Sequence, residues 1–284
     1  MYTHNQSTGI YMRKTMSGFD LSNRKILITG AAQGLGAEMA SVLAAMGAEL
    51  AITDIDEAGL QTTVDKIEQQ GGIRPLTFRH DVSSAADWKQ LYEQLEPRWQ
   101  LLHGLVNNAG IMLHRPFTET TLEMFQKTQS INVDSVFIGS QTFLPMLKNA
   151  GEQGSASSIV NVSSIFGQVA GPLHSAYCAS KGAVRLLTKS IATELPRLGY
   201  NVRCNSIHPG IMDTGVSLTG LQTMVDMGTF ADVEEAANYF SAVIPMGRPG
   251  SAPEIANGVA YLLSDASSLM TGAELTLDGG YTAV

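Results

Sequence analysis

Three side chains in the middle of the chain could share one piece of chemistry. Tyr177 and Lys181 stand four residues apart in Ser-Ala-Tyr-Cys-Ala-Ser-Lys, and on a helix that spacing puts both on one face, a turn apart. A phenol has a pKa of about 10, and an ammonium beside it favours the phenolate, making the proton easier to move near neutrality. Ser164 lies 13 residues before Tyr177, and the loop between them, with Gly167, Gly171 and Pro172, can fold back to bring hydroxyl and phenol together. The same residues have plainer readings: Tyr-x-x-x-Lys arises by accident on many helix surfaces, and a serine at a strand end often only caps the next turn. No Gly-x-Ser-x-Gly elbow surrounds Ser164, which argues against a hydrolase nucleophile.

The elements that must position these groups alternate along the chain. Short β-rich runs, KILITG, AELAIT, PLTFRH, LLHGLVNNAG, SSIVNVSS, NVRCNSIHPG and AELTLDGG, are separated by stretches of helical composition. Helices are expected over 57–70, 84–99, 121–148, 177–198 and 253–263, with a less regular Met-rich segment from about 213 to 243. Strands separated by helices mean βαβ units, so the expected fold is α/β, a doubly wound Rossmann-type parallel sheet of about seven strands with helices on both faces. The absence of linkers or repeats in 20–284 predicts one catalytic domain there.

Ligands of such sheets bind beyond the carboxyl ends of the strands. The first strand runs into Thr-Gly-Ala-Ala-Gln-Gly-Leu-Gly, where Gly30, Gly34 and Gly36, with Gln33 and Leu35 between them, open a helix. Small residues at a helix N-terminus suit a pyrophosphate. The second strand ends at Asp54, which can accept both hydroxyls of an adenosine ribose and repel a 2′-phosphate. With no Arg or Lys beside Asp54 in sequence, NAD is expected over NADP. The next helix is capped more naturally by Asp56. At the end of the third strand, Asp81, followed by Val82, either bonds an adenine amine or caps a helix. Asn107-Asn108-Ala109-Gly110 ends the fourth, compact enough for a cofactor to pass over.

Bulk properties exclude several classes. The 284 residues include 28 Gly but only 15% charged residues, against about 25% in an ordinary domain, which suggests tight turns and extensive burial. A net charge of -8 without a basic run argues against nucleic acid and against an anionic membrane. Cys178 and Cys204 form no framework or zinc motif, and no His-Glu-x-x-His is present, so no metal is expected and a reduced, cytoplasmic setting fits. No apolar run reaches the roughly 18 residues of a membrane span. Residues 1–19 read as a disordered N-terminal extension.

Taken in order, Gly30-x-x-x-Gly34-x-Gly36, Asn107-Asn108-Ala109-Gly110, Ser164, Tyr177-x-x-x-Lys181, His208-Pro209-Gly210 and Asp278-Gly279-Gly280 resemble the short-chain dehydrogenase/reductase family over about 20–284. Within it, FRHDVSSAADW, INVDSVFIGSQ, NSIHPGIMDT and SDASSLMTGAEL are similar to bacterial 3β/17β-hydroxysteroid and cyclic-alcohol dehydrogenases. The resemblance implies hydride transfer between NAD(H) and a secondary alcohol or ketone. Tyr177 would be the acid–base group and Lys181 its electrostatic partner and ribose ligand. Ser164 would bond the substrate oxygen, and Asn132 would help link Lys181 to solvent. Pro209 and Gly210 would lie by the cofactor, and Thr214 would bond the nicotinamide carboxamide. A homo-oligomer, tetramer or dimer, is also implied.

In this family the segment at about 212–243 covers the substrate. Met112, Phe166, Val169, Met212, Leu218 and Met224 are expected to border a pocket for a small-molecule substrate, apolar and cyclic or steroid-like. A 3-oxoacyl carrier-protein reductase is the rival within the class, although its acidic partner should want a basic rim. A non-catalytic NAD-binding sensor is the rival outside it, and nothing about binding alone demands Ser164, Tyr177 and Lys181 together.

Overall fold

The computed structural model describes residues 17–284, with Ser17 and Val216 described by their backbone only. Of the expected extension, residues 1–16 lie outside the described residues. Ser17–Phe19, inside the expected extension, forms a 3₁₀ turn whose Phe19 ring lies 6.2 Å from that of Tyr261.

Seven strands, β1 (Lys25–Thr29), β2 (Glu49–Asp54), β3 (Leu76–Arg79), β4 (Gly104–Asn107), β5 (Ser157–Val162), β6 (Val202–Pro209) and β7 (Glu274–Leu277), form one parallel sheet in the order β3-β2-β1-β4-β5-β6-β7. Between β1 and β4 the winding reverses, and the crevice above that point is where such sheets bind ligands.

The period of two along each strand sorts the core into two layers. Ile26 and Ile28 of β1 face helices α1 (Gly34–Ala45), α2 (Glu57–Gln69) and α9 (Ala252–Leu263), meeting Met39, Leu43, Val64 and Val259. Leu27 points the other way, with Trp88 of α3 (Ala85–Trp99), Phe143 of α5 (Ser135–Gly151) and Leu195 of α6 (Ser175–Arg197). All eight β6 residues are buried, as a central strand covered on both faces requires.

Two sequence expectations change. The helix expected over 121–148 is interrupted: α4 (Leu122–Gln129) is joined to α5 by a π-helical turn, Ser130–Asp134. The Met-rich segment is not irregular. It forms α7 (Gly215–Asp226) and α8 (Val233–Ala242), the latter capped by Asp232, whose carboxylate accepts from the Glu235 N–H at 2.8 Å.

Candidate active site

The β1–α1 turn is held by side chains from two neighbouring strands. The Thr29 hydroxyl accepts from the Asn108 and Ala109 N–H groups, both at 3.1 Å, and the Asn108 amide donates to the Thr29 and Gly30 carbonyls at 3.0 and 2.9 Å. A Cβ on Gly36 would fall on the Gly30 carbonyl oxygen, so only glycine lets α1 start this close to the turn. Gly34 is different. It is exposed, with φ +57°, and a Cβ there would meet nothing within 4 Å, leaving open space in front of the free N–H groups of α1.

Asp54 sits at the carboxyl end of β2, where its carboxylate accepts from the N–H groups of Ala32 at 3.0 Å and Asp56 at 3.1 Å. Asp56 caps α2, accepting from the Gly59 N–H at 3.0 Å. The expectation that Asp54 has no basic neighbour needs correction: β2 and β3 pair Asp54 with Arg79. Residues in register on parallel strands share a face, so the exposed Arg79 leaves the sheet on the side of Asp54. Asp81 does not cap α3. Ser84 does, while Asp81 accepts from the Ser83 N–H and hydroxyl at 2.9 and 2.7 Å. The Val82 side chain is buried in the core and its carbonyl accepts from the Trp88 indole at 2.8 Å, so only its N–H remains for a ligand.

Ser164 ends β5 and caps the turn Ile165–Gly167, its hydroxyl oxygen accepting from the Phe166 N–H at 3.1 Å. Capping uses only a lone pair of this oxygen, so its O–H can still donate toward the site, and the two roles coexist. His208 fixes the backbone behind it: Nδ1 donates to the Ser164 carbonyl at 2.9 Å and Nε2 accepts from the Ser206 hydroxyl at 2.8 Å. Gly167 lies against the Lys181 carbonyl, which also accepts from the Ser163 hydroxyl at 2.9 Å, and this folds the loop back onto α6.

Tyr177 and Lys181 leave the same face of α6, the ammonium 5.6 Å from the phenol ring centroid. Lys181 is 4% exposed and donates to the Val162 carbonyl at 2.7 Å. None of the ion pairs among the described residues includes it. Burial pushes its pKa down to about 8. Burial also pushes the Tyr177 phenol up to about 12, against a hydrogen bond from Ser164 that favours the phenolate. Lys181 is not among the groups that shift the phenol, so the expected lowering by Lys181 is absent in the protein alone and burial raises the pKa instead.

Asn132 lies in the π-helical turn and is 1% exposed. Its carbonyl accepts from the Ile111 N–H at 2.8 Å, and its amide donates to the Ile111 carbonyl at 2.9 Å and the Ser180 hydroxyl at 3.0 Å. These bonds tie the end of the β4 loop to α6. Both amide N–H groups are committed, so any relay at this residue must use its backbone.

A cleft of about 580 Å³ separates the chain after β4 from α7. Of the residues expected at a substrate wall, Met112 borders this cleft, together with Met124, Arg115, Thr219 and Asp226. The others lie outside its lining. Phe166 stands edge-on to Tyr177 at 6.5 Å. Met212 is 6% exposed because a bridge to Gly250 turns it into the sheet core with α9. Met224 is buried, while Val169 and Leu218 point outward, 40% and 54% exposed. The wall is thus mixed rather than nearly all apolar. Gly210 and Asp278 lie in contact, joining the ends of β6 and β7, and Pro209 is buried in β6. Thr214 begins α7.

Two residues near the phenol lie outside the sequence expectations. His174 packs 6.4 Å from Tyr177 and 4.7 Å from Phe166, and His114 meets His174 edge-on at 4.8 Å. The His174–Tyr177 spacing of three is a readable signal; the approach of His114 is not. Leu173, with φ +68°, makes the turn that brings His174 there.

A doubly wound sheet with an open glycine cradle at its first turn and a dehydrated, unpaired ammonium beside a phenol has the make-up of a Rossmann-type oxidoreductase. The chain belongs to the short-chain dehydrogenase/reductase family, whose members bind a nicotinamide cofactor. The family description "Enoyl-(Acyl carrier protein) reductase" matches residues 30–282. The chain is 35% identical to cyclopentanol dehydrogenase of Comamonas testosteroni over 264 residues, 93% of this chain and 98% of that one. It is 35% identical to 3-beta-hydroxysteroid dehydrogenase of Comamonas testosteroni over 258 residues (91% and 95%). It is also 35% identical to NADP-dependent (R)-specific alcohol dehydrogenase of Lentilactobacillus kefiri over 270 residues (93% and 98%). Among solved structures, levodione reductase superposes with a TM-score of 0.85 at 33% identity, covering 93% of this chain and 99% of that one. Among the described residues, no helix is long and apolar enough to cross a membrane, and no group of three or more His, Cys, Asp or Glu could hold a metal ion.

Proposed function

We propose that this protein is an NAD-dependent dehydrogenase that interconverts a cyclic secondary alcohol and its ketone. The observation that carries the reading is Lys181: a buried ammonium with one carbonyl partner, beside a phenol, at the carboxyl end of β5. A buried charge without a carboxylate is costly unless a ligand uses its remaining donors. Ribose hydroxyls are such a ligand.

Bound nicotinamide supplies the hydride acceptor or donor at its C4. In oxidation, Tyr177 Oη takes the proton of the carbinol while the hydride leaves its carbon; in reduction it returns the proton. Ser164 donates to the substrate oxygen and stabilises charge developing there. Lys181 holds the nicotinamide ribose and offsets the phenolate. Gly30, Gln33, Gly34, Leu35 and Gly36 receive the pyrophosphate, and Asp54 takes the adenosine ribose. Asp81 and the Val82 N–H face the adenine. Asn108, Ala109, Gly110, Pro209, Gly210 and Thr214 line the nicotinamide half. Asp54 supports NAD, and Arg79 tempers that preference.

The organic substrate enters the cleft beside Met112, and the names of the relatives support a ring. Exposed Leu122, Phe125, Phe137 and Leu186, on helices α4, α5 and α6, support a homo-oligomer. A second reading is reduction of the 3-oxo group of a carrier-protein thioester, and the family description shares with it only the carrier-protein substrate; Glu119 and Asp226 on the cleft suit an acidic carrier poorly. NADH absorbance with cyclopentanol, cyclohexanone, a steroid ketone and acetoacetyl thioester tests both. Turnover of the thioester above the rings would overturn the proposal.

A further inference from the structure

Helix α7 carries a glycine where a helix interior normally excludes one. Gly220 is buried in mid-helix, a position where glycine costs about 1 kcal/mol relative to alanine. Its neighbour explains it. A Cβ on Gly220 would collide with the His114 imidazole, falling on Nε2 and within 2.9 and 3.0 Å of Cε1 and Cδ2. The ring of His114 therefore lies against bare helix backbone.

This contact sits where the two walls of the cleft meet. His114 belongs to one wall, with Met112, Leu113 and Arg115; Thr219 and Thr223, beside Gly220 on α7, belong to the other. His114 is in turn held against the phenol end of the site. It meets His174 at 4.8 Å, His174 lies 4.7 Å from Phe166 and 6.4 Å from Tyr177, and the Arg115 N–H donates to the Leu173 carbonyl at 3.0 Å. A chain of ring contacts thus runs from Tyr177 to the backbone of α7. Burial and the neighbouring His174 hold His114 down at about 4, so it is neutral at pH 7. A neutral ring can pack against apolar backbone without a counter-ion.

We infer that the Gly220–His114 contact is the seat that sets the width of the substrate cleft, making these two positions specificity-determining residues of the proposed dehydrogenase. A methyl at 220 pushes α7 away from the Met112–Pro116 wall, because His174 backs the His114 ring edge-on at 4.8 Å and resists its displacement. Widening strips contact from a small ring and spares a fused one. The inference rests on the reading of the cleft as the substrate site.

The test compares wild type, Gly220→Ala, His114→Ala and the double variant. Hydrogen exchange is measured on Gly215–Asp226, and kcat and KM are measured for cyclopentanone and a steroid ketone. In Gly220→Ala, exchange in α7 should rise. KM for cyclopentanone should rise about fourfold for each methylene that loses its wall, kcat should change less than threefold, and the steroid KM should hold. In the double variant the added methyl has room, and exchange should return toward that of His114→Ala. Unchanged exchange in Gly220→Ala would overturn the seat whatever the activity. Raised exchange with equal KM losses on both ketones would overturn its role in specificity. If wild type reduces neither ketone with NADH or NADPH, the proposed function fails and the specificity assignment with it, while exchange still decides whether the seat exists.

Discussion

Lys181→Met should make the cofactor-free protein more stable while removing its activity. The fall of the Lys181 pKa from 10.5 to about 8 has burial as its cause. At ~1.4 kcal/mol per pH unit, that corresponds to about 3–4 kcal/mol of dehydration cost borne by the charged form. Methionine matches the stem and needs no hydration. Against this stands the lost hydrogen bond to the Val162 carbonyl, about 1.5–3 kcal/mol for a charged donor. The net gain is about 1 kcal/mol at pH 7. For 284 residues it should raise Tm by about 2 °C.

The sign with pH comes from linkage. The folded pKa lies below the unfolded one, so between about 8 and 10.5 the unfolded chain holds a proton that the folded chain has released. Wild-type stability gains over the variant as pH rises through that window, and the advantage of Lys181→Met shrinks and disappears. Urea unfolding of both proteins at pH 7, 8, 9 and 10 reads this directly, with NADH fluorescence titrated at pH 7. Loss of two ribose hydrogen bonds should weaken NADH about 10- to 100-fold. A variant less stable than wild type at pH 7 by 1 kcal/mol or more, or a stability difference constant with pH, would refute the argument that Lys181 is held at a dehydration cost for a ligand.

Three further outcomes are expected. Tyr177→Phe should lower kcat at least about 100-fold, as for loss of a general acid–base group, with NADH affinity within threefold by fluorescence titration; a loss below tenfold would remove Tyr177 from the reaction. Asp54→Asn keeps the acceptor for the Ala32 N–H and removes the charge, so it should raise the NADP-to-NAD ratio of kcat/KM about tenfold, whereas Arg79→Gln should lower that ratio; calorimetric binding of 2′,5′-ADP against AMP checks both without turnover. Met212→Ala should destabilise by about 2–5 kcal/mol, as for a large-to-small core change, and leave the ketone KM within twofold; a shifted KM at unchanged stability would return Met212 to the pocket wall.

The parts legible in the sequence are those fixed by local rules. The i, i+4 spacing of Tyr177 and Lys181 survives into the structure because a helix permits no other geometry. The strands announce themselves as β-rich runs ended by Gly, Asn, Ser or Asp, and their order along the chain is enough for a doubly wound sheet. The features that escape such reading need contacts across elements. Arg79 lies 25 residues from Asp54 in sequence but opposite it in register, and no inspection of neighbours along the chain finds it. The break at Asn132 is set by bonds to Ile111 and Ser180, and the 121–148 pattern gives no hint of either partner. Helix α7, with Gly215, Gly220 and the β-branched Val216 and Thr219 in its first half, has poor intrinsic propensity, and its sequence looks irregular for that reason.

Composition is the weakest guide at the pocket wall, and the reason is physical. A methionine fills an irregular core gap as readily as it lines a cleft, so Met112, Met212 and Met224 are indistinguishable until the backbone direction is known. Met212 comes just after Pro209-Gly210, where the chain turns to pair with Gly250, and that one bridge carries its side chain into the core. The polar members of the wall, Arg115, Thr219 and Asp226, are invisible for the converse reason: each has the composition of an ordinary solvated surface. A substrate matched to this cleft should therefore offer a ring to Met112 and Met124 and a polar edge to Arg115 and Thr219. A ring ketone bearing a distal hydroxyl or carboxylate should show a lower KM than the unsubstituted ring. Arg115→Ala should abolish that difference for a carboxylate without altering kcat for the plain ring, and an equal effect on both ketones would show that the polar edge of the cleft plays no part in recognition.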